Sequence, residues 1–415
     1  MNETRNIIAS LEFGREVSQI CYYDRKEKTP VSLSVKTGSN LYTFPTMLSK
    51  RPKAEVWHFG LEASYFSRHE GEIPVENLME LCMKGEPVEF DGGYYRTEEL
   101  LEIFLRGCLS MLGIADAPRQ IRAVMITVPE LNRVLVRKIQ RVCSRMKFSS
   151  GQVMIQDYDE SFYYYAMCTR RDNGNRMTGL FAFDENQVTF SRMCIDTGKK
   201  PLLVQVEKGN TVTLSEDPEQ RDTEFCQFIT DSCGNDVYSS IYLVGEGFAK
   251  DWAVRSIPLL CKNQRHVYYG NNLYVRGACL AAVERSEGSV LNGYLYVGNA
   301  LVKHHVSMEV NIQGKDQRYT VAEAGKNWYE TENKFEMILD STEELEFLIQ
   351  PMEGGEETRY VMKLPGLPKR PPKTTRLRIH VMYESATVCV ILVQDLGFGE
   401  MFPSSGLIWT ERASW

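Results

Sequence analysis

The chain has no apolar run approaching the roughly 20 residues that a membrane-spanning helix needs, so it is not expected to cross a bilayer that way. It has no basic surplus either. The formal net charge is −7, which argues against a general nucleic-acid binder, because such proteins need a basic face for phosphates. Its six histidines show no H-E-x-x-H spacing. His304 and His305 are adjacent, so in a strand they would point to opposite faces and would not easily share a metal. The eleven cysteines are scattered without a C-x-x-C; an odd, unpatterned count fits reduced thiols better than a disulfide frame or a zinc site. Met1 to Ile8 is polar and lacks an apolar signal core. Together these features predict a cytoplasmic protein with no membrane, nucleic-acid or metal site. A long linker, an internal sequence repeat and a low-complexity tract are also missing.

What is present divides into two patterns. With 415 residues the chain exceeds what one core usually organises. Ile7 to Gly14 and Val17 to Tyr23 are β-prone runs around a glycine, a hairpin signal. Thr97 precedes Glu98 and Glu99 at a helix start, and Leu101, Phe104, Leu105, Cys108, Met111 and Leu112 continue at helical spacing. Ala123 to Val128 is an unbroken apolar run closed by Pro129, the mark of a strand covered on both faces. Leu131 to Met146 reads as an amphipathic helix, and Phe162 to Tyr165 as core and helix surface. Alternating strands and helices indicate an α/β first part, residues 1–287. From 288 to 415 short extended runs take over, from Tyr294–Val297 through Lys334–Leu339 to Thr387–Val393, which predicts an antiparallel β-sandwich. Lys363, Lys369, Arg370, Lys373, Arg376 and Arg378, interleaved with prolines, read as a solvated loop.

Six segments stand in an informative order. Leu11-Glu12-Phe13-Gly14-Arg15-Glu16 resembles the first phosphate loop of the actin/DnaK ATPase superfamily. Ala123 to Pro129 is similar to the A-V-I-T-V-P strand of DnaK-type chaperones. Val153 to Asp157 resembles the connecting strand whose acid helps position metal and water. Phe183-Asp184, with Val188 to Phe190, looks like the second phosphate loop. Leu243 to Phe248, with Gly245 and Gly247, resembles the adenosine loop, and Gly277-Ala278 the small-residue helix that closes the nucleotide domain. Leu364 to Pro368 and the strands through Asp395 look like the end of the chaperone family's β-domain. The resemblance implies two ribonuclease-H-like lobes followed by a β-sandwich. It implies Glu12, Asp157 and Asp184 as catalytic acids, and Gly14, Arg15, Gly245, Gly247 and Gly277 around a nucleotide. It further implies ATP or ADP with magnesium, a protein or unfolded-peptide client, and a co-chaperone.

The departures weigh on function. Glu12 is a methylene longer than the family's Asp, and Arg15 and Glu16 replace small hydroxyl residues. Asp184 to Val188 contains no glycine, although close approach of backbone to phosphate requires it. The lysine that assists hydrolysis has no counterpart around His58 to Ala63. The stretch from Phe190 to Ile241 is short, so the subdomain that clasps adenosine is expected to be reduced, and no helical lid is expected after Trp415. These features predict weak or absent ATP binding and turnover, as in a pseudoenzyme. The leading expectation is a DnaK-like chaperone relative that binds a peptide client. The alternative is an actin-like structural or adaptor protein, and a sugar or acetate kinase ranks third for want of loop glycines. Met308, Val310, Met337 and Leu339 are alternating positions that line either a client groove or an ordinary sandwich core.

Overall fold

A computed structural model describes residues 6–36, 38–169, 177–288, 291–340, 342–352 and 354–415. Met1 to Arg5, the start of the polar N-terminal stretch, lie outside the described residues. The chain is a mixed α/β protein with a β-rich C-terminal region, in two compact units, Met1–Gly298 and Asn299–Trp415. Among the described residues no helix is long and apolar enough to cross a membrane.

The first unit holds two larger sheets. One contains β1 (Ile7–Phe13), β2 (Val17–Asp24), β3 (Thr29–Ser32), β4 (Ile121–Val128) and β5 (Val153–Asp157), in the order β5-β4-β1-β2-β3. The other contains β6 (Met177–Asp184), β7 (Gln187–Asp196), β8 (Leu202–Thr213), β9 (Tyr238–Glu246) and β10 (His266–Tyr269), in the order β10-β9-β6-β7-β8. The two orders are the same. In each sheet the first three strands are antiparallel neighbours, the fourth runs parallel beside the first, and the fifth runs parallel beside the fourth.

The helices fall at matching places. α1 (Thr97–Ser110) follows β3, α2 (Arg133–Arg145) follows β4 and α3 (Tyr158–Thr169) follows β5; α4 (Pro218–Cys233) follows β8 and α5 (Leu273–Glu287) follows β10, with α5 packed on α3 and on β1, β2 and β4 of the first sheet. Local chemistry starts them where they start. Asn132 accepts hydrogen bonds from the Val134 and Leu135 amides, and Asp217 accepts one from Gln220 ahead of Pro218. β4 is buried at Ala123 to Val128 because strands flank both its edges and helices cover its faces. Phe162, Tyr163 and Tyr164 of α3 pack with Ala278, Ala281 and Ala282 of α5 in one apolar core.

Between β3 and α1 lies an extra layer, a three-stranded sheet (Leu48–Lys50, Trp57–Phe59, Ile73–Val75) with helices Gly60–His69 and Leu78–Lys84. The second sheet has no matching insertion, since β8 ends at Thr213 and α4 begins at Pro218. β11 (Tyr294–Tyr296) extends the second sheet beside β8. Its extended pattern had suggested a strand of the C-terminal β-region; its backbone partners belong to the first unit.

The second unit is two four-stranded antiparallel sheets. β12 (His304–Ile312), β13 (Lys315–Ala322), β15 (Glu344–Pro351) and β16 (Thr358–Lys363) are ordered β13-β12-β15-β16, with β14 (Glu332–Leu339) lying between β13 and β15 in sequence. β14 belongs to the other sheet with β17 (Thr375–Tyr383), β18 (Val388–Gly397) and β19 (Ile408–Ser414), ordered β14-β17-β18-β19. Leu377, Ile379, Val381 and Tyr383 of β17 are buried in alternation with more exposed Arg376, Arg378, His380 and Met382, so one face of the sheet packs inward. The basic stretch before β17 is not solvated throughout. The Arg370 side chain is buried and holds Asp395 through two hydrogen bonds of 2.7 and 2.8 Å. Arg376 and Arg378 lie on β17 itself.

Candidate functional site

Two places collect the residues singled out by sequence. In the first unit, β1 delivers Glu12 to a polar row that crosses four strands. Gln19 of β2, Glu12 of β1, Thr127 of β4 and Gln156 of β5 are successive cross-strand partners. They are 2%, 5%, 0% and 0% exposed. The Tyr158 hydroxyl donates to Glu12 Oε1 at 2.8 Å, and its ring stacks on Tyr274 with centroids 3.9 Å apart. Gln19 Nε2 donates to the Asn271 carbonyl at 2.8 Å, and Gln156 Nε2 to Ser161 Oγ at 2.7 Å. That leaves Glu12 Oε2, Gln19 Oε1 and Gln156 Oε1 buried without a donor. The row therefore presents acceptors.

Burial pushes the Glu12 carboxyl up to about 7, against the opposing hydrogen bond from Tyr158. Asp157, at the end of β5, is also pushed up to about 7, by burial and then by the neighbouring Asp159 and Glu160. It accepts the Glu160 amide at 2.8 Å and so caps α3. Gly14 is needed because an added Cβ would sit 2.3 Å from the Val17 carbonyl oxygen. Arg15 beside it is committed to two carboxylates, Glu80 and Glu130.

The remaining predicted residues gather elsewhere in the same unit. Asp184 is exposed at the end of β6, opposite Gln187 across a tight turn. Gly245 (φ +91°) and Gly247 (φ +108°) lie against that turn: added Cβ atoms would stand 1.8 Å from the Phe183 oxygen and 1.9 Å from the Glu185 oxygen. Arg221, stacked 5.0 Å from Trp252, donates to the Glu185 and Gly247 carbonyls and ties the two loops together. Asn271 links this group to the first, since its Oδ1 accepts the Gly245 amide at 3.0 Å while its carbonyl accepts Gln19. Gly277 belongs to a helix crossing, its missing Cβ 2.0 Å from the Ser161 carbonyl oxygen. Sequence reasoning missed Gln19, Gln156, Tyr158, Arg221, Asn271 and Tyr274. Only Tyr158 carried a local signal, its place beside Asp157.

The second place is in the β-rich unit. β12 and β15 pair from His304↔Pro351 only as far as Ser307↔Leu348. Beyond that point they part, and a cavity of about 1210 Å³ opens there, lined also by β14 of the opposite sheet. Met308, Val310, Phe335, Met337, Leu339 and Leu345 supply its apolar lining. Among the described residues no group of three or more His, Cys, Asp and Glu side chains is placed to hold a metal ion.

Against known families, residues 29–299 match the model described as the C-terminal part of a family of unknown function, DUF5716. The chain belongs to the DUF5716 family. The DUF5716 match thus covers most of the first unit, and a second model, a domain of unknown function (DUF8552), matches residues 301–415 and so takes in the cavity. No curated protein gives a match.

Proposed function

We propose that this DUF5716 protein is a peptide-binding relative of DnaK-type chaperones. Its first unit has the two-lobed ribonuclease-H-like ATPase fold and serves as a scaffold; its second unit is a sandwich that captures an extended apolar segment. The repeated strand order of the two large sheets supports the first part. The observation that carries the second is the parting of β12 from β15 over an apolar cavity. At about 1210 Å³ it exceeds the roughly 300–1,000 Å³ of ordinary small-molecule pockets and suits a chain segment.

The nucleotide implied by this fold does not suit the residues present. A triphosphate needs donors and cations. The row around Glu12 offers orphaned acceptors, and Arg15 is engaged by two acids. The turn after Asp184 is closed against Gly247 by Arg221, and Asn271 bridges the two groups through Gln19 and Gly245. In this reading binding of clients is independent of ATP, no hydrolytic step is assigned, and no co-chaperone is needed to drive one.

The test is a screen of the full chain against an array of extended peptides, followed by calorimetry. Apolar peptides should be retained, with a negative heat-capacity change. Met337→Lys should weaken them at least tenfold without shifting the melting temperature. If no peptide is retained while folded proteins bind stably, the adaptor alternative replaces this one.

A further inference from the structure

Resting on that peptide-capture reading, the geometry points to a more specific occupant: an extended segment with apolar residues alternating with Lys or Arg, entering as an added strand between β12 and β15. Three observations carry this.

The first is the open edges. β12 keeps its pairing with β13 as far as Ile312↔Lys315, and β15 keeps its pairing with β16 from Glu344↔Lys363. Over Met308–Ile312 and Glu344–Phe347, however, neither pairs with the other. Each strand thus has one satisfied edge and one edge whose backbone groups face the cavity side without a ladder. Unpaired backbone groups next to apolar walls are costly, and an inserted strand satisfies them.

The second is parity. Met308 and Leu345 are buried and Val310 is half-buried, whereas Glu309, Asn311, Glu344 and Glu346 are exposed. A strand added in register must follow the same alternation, because successive side chains take opposite faces. Its inward residues meet Met308, Val310, Met337 and Leu345; its outward residues meet the acids.

The third is charge. Among the described residues neither Glu309 nor Glu344 makes an ion pair, and Glu346 has only Arg359, at 3.1 Å. The same unit shows what such acids take. On the exposed face of the β14/β17 pair, Glu336 holds Arg378 at 2.8 Å and Glu332 holds His380 at 2.6 Å. β17 itself, Thr375-Arg376-Leu377-Arg378-Ile379-His380-Val381-Met382-Tyr383, is an alternating apolar–basic strand over most of its length. Opposite charges facing across strands stabilise such pairs, and like charges oppose them.

The probe is a fluorescein-labelled synthetic peptide with the Thr375–Tyr383 sequence, titrated into the full chain at low salt. Binding should be saturable, and amide exchange should slow at Met308–Ile312. A peptide with Glu at the three basic positions should bind at least tenfold more weakly. Glu309→Lys combined with Glu344→Lys should reverse that preference. Equal binding of the acidic peptide, equal binding of a same-composition peptide whose apolar residues are contiguous, or bound peptide without protection at Met308–Ile312 overturns the inserted strand. If apolar peptides from the array bind and this one does not, the inserted strand fails while peptide capture stands. If neither binds, both fail.

Discussion

Arg370→Ala will destabilise the second unit by about 3–5 kcal/mol, the usual cost of stripping one partner from a buried ion pair. The Arg370 side chain is 6% exposed and that of Asp395 is fully buried. The guanidinium meets both carboxylate oxygens in parallel and also donates to the Pro403 carbonyl at 2.8 Å. Asp395 further accepts from the Gly397 amide and from the Ser405 amide and hydroxyl. It therefore fastens the proline-rich segment and the loop after β18 to one point. With Arg370 gone, a buried carboxylate loses its counter-charge. Arg370→Lys should lose less, because the charge stays while the two-pronged geometry goes.

Acid should act on the same point. Burial pushes the Asp395 carboxyl up, but hydrogen bonds from Arg370, Ser405 and Gly397 outweigh burial and hold it well below the usual carboxylate range. A carboxyl whose pKa falls on folding gives stability that is complete above its unfolded pKa, near 3.9, and lost progressively as pH drops toward the folded value. Amide exchange of β17 and β18, read at pH 7 and near pH 3, checks both statements. In Arg370→Ala these strands should exchange far faster at pH 7. Exchange rates close to wild type in that variant would contradict the buried-pair argument.

Gly277→Ala should cost the first unit about 3 kcal/mol or more, at the upper end of overpacking penalties. The added methyl would lie 2.0 Å from the Ser161 carbonyl oxygen and 3.1 Å from Tyr165 Cβ. The first obstacle is backbone, so no rotamer change relieves it, and α3 and α5 must move apart. Their shared core of Phe162, Tyr163, Ala278, Ala281 and Ala282 would open with them. Urea unfolding of the full chain, followed by exchange of β1 and β4 amides, measures the loss. A cost under about 0.5 kcal/mol, typical of unconstrained surface positions, would mean that the helices are not in backbone contact at this glycine.

These two residues also mark what the sequence carried and what it did not. β4 and α2 were legible because an unbroken apolar run and a 3.6-residue period each encode one element. The hairpin at Gly14 was legible from β-prone runs around a turn residue. β8 was not, since Glu207, Lys208, Gly209 and Asn210 interrupt any alternation, and its outer half is exposed. β13 was missed for a related reason: Lys315 to Arg318 are polar and exposed on an edge strand. The duplication of strand order leaves no sequence repeat, because topology constrains which strands pair and not which residues fill them.

Site geometry was further from reach. Glu12 was picked out by resemblance, but its row with Gln19, Thr127 and Gln156 depends on the registers of three strand pairs. Gly277 reads as a small residue near a nucleotide until the Ser161 oxygen appears beside it. Arg370 looked solvated because Asp395, its partner, lies 25 residues away in sequence. In the second unit, alternation pointed to Met308, Val310, Met337 and Leu339. Whether those side chains fill a core or line a groove depended on where β12 and β15 stop pairing.

The most direct measurement is the affinity and release rate of one array-selected apolar peptide, labelled and bound to the full chain, with and without magnesium-ATP. Peptide capture on a nucleotide-indifferent scaffold predicts saturable binding, with both quantities unchanged by ATP within twofold and no phosphate released. An ATP-driven change of tenfold or more in either quantity, or the absence of any saturable peptide binding, would contradict it.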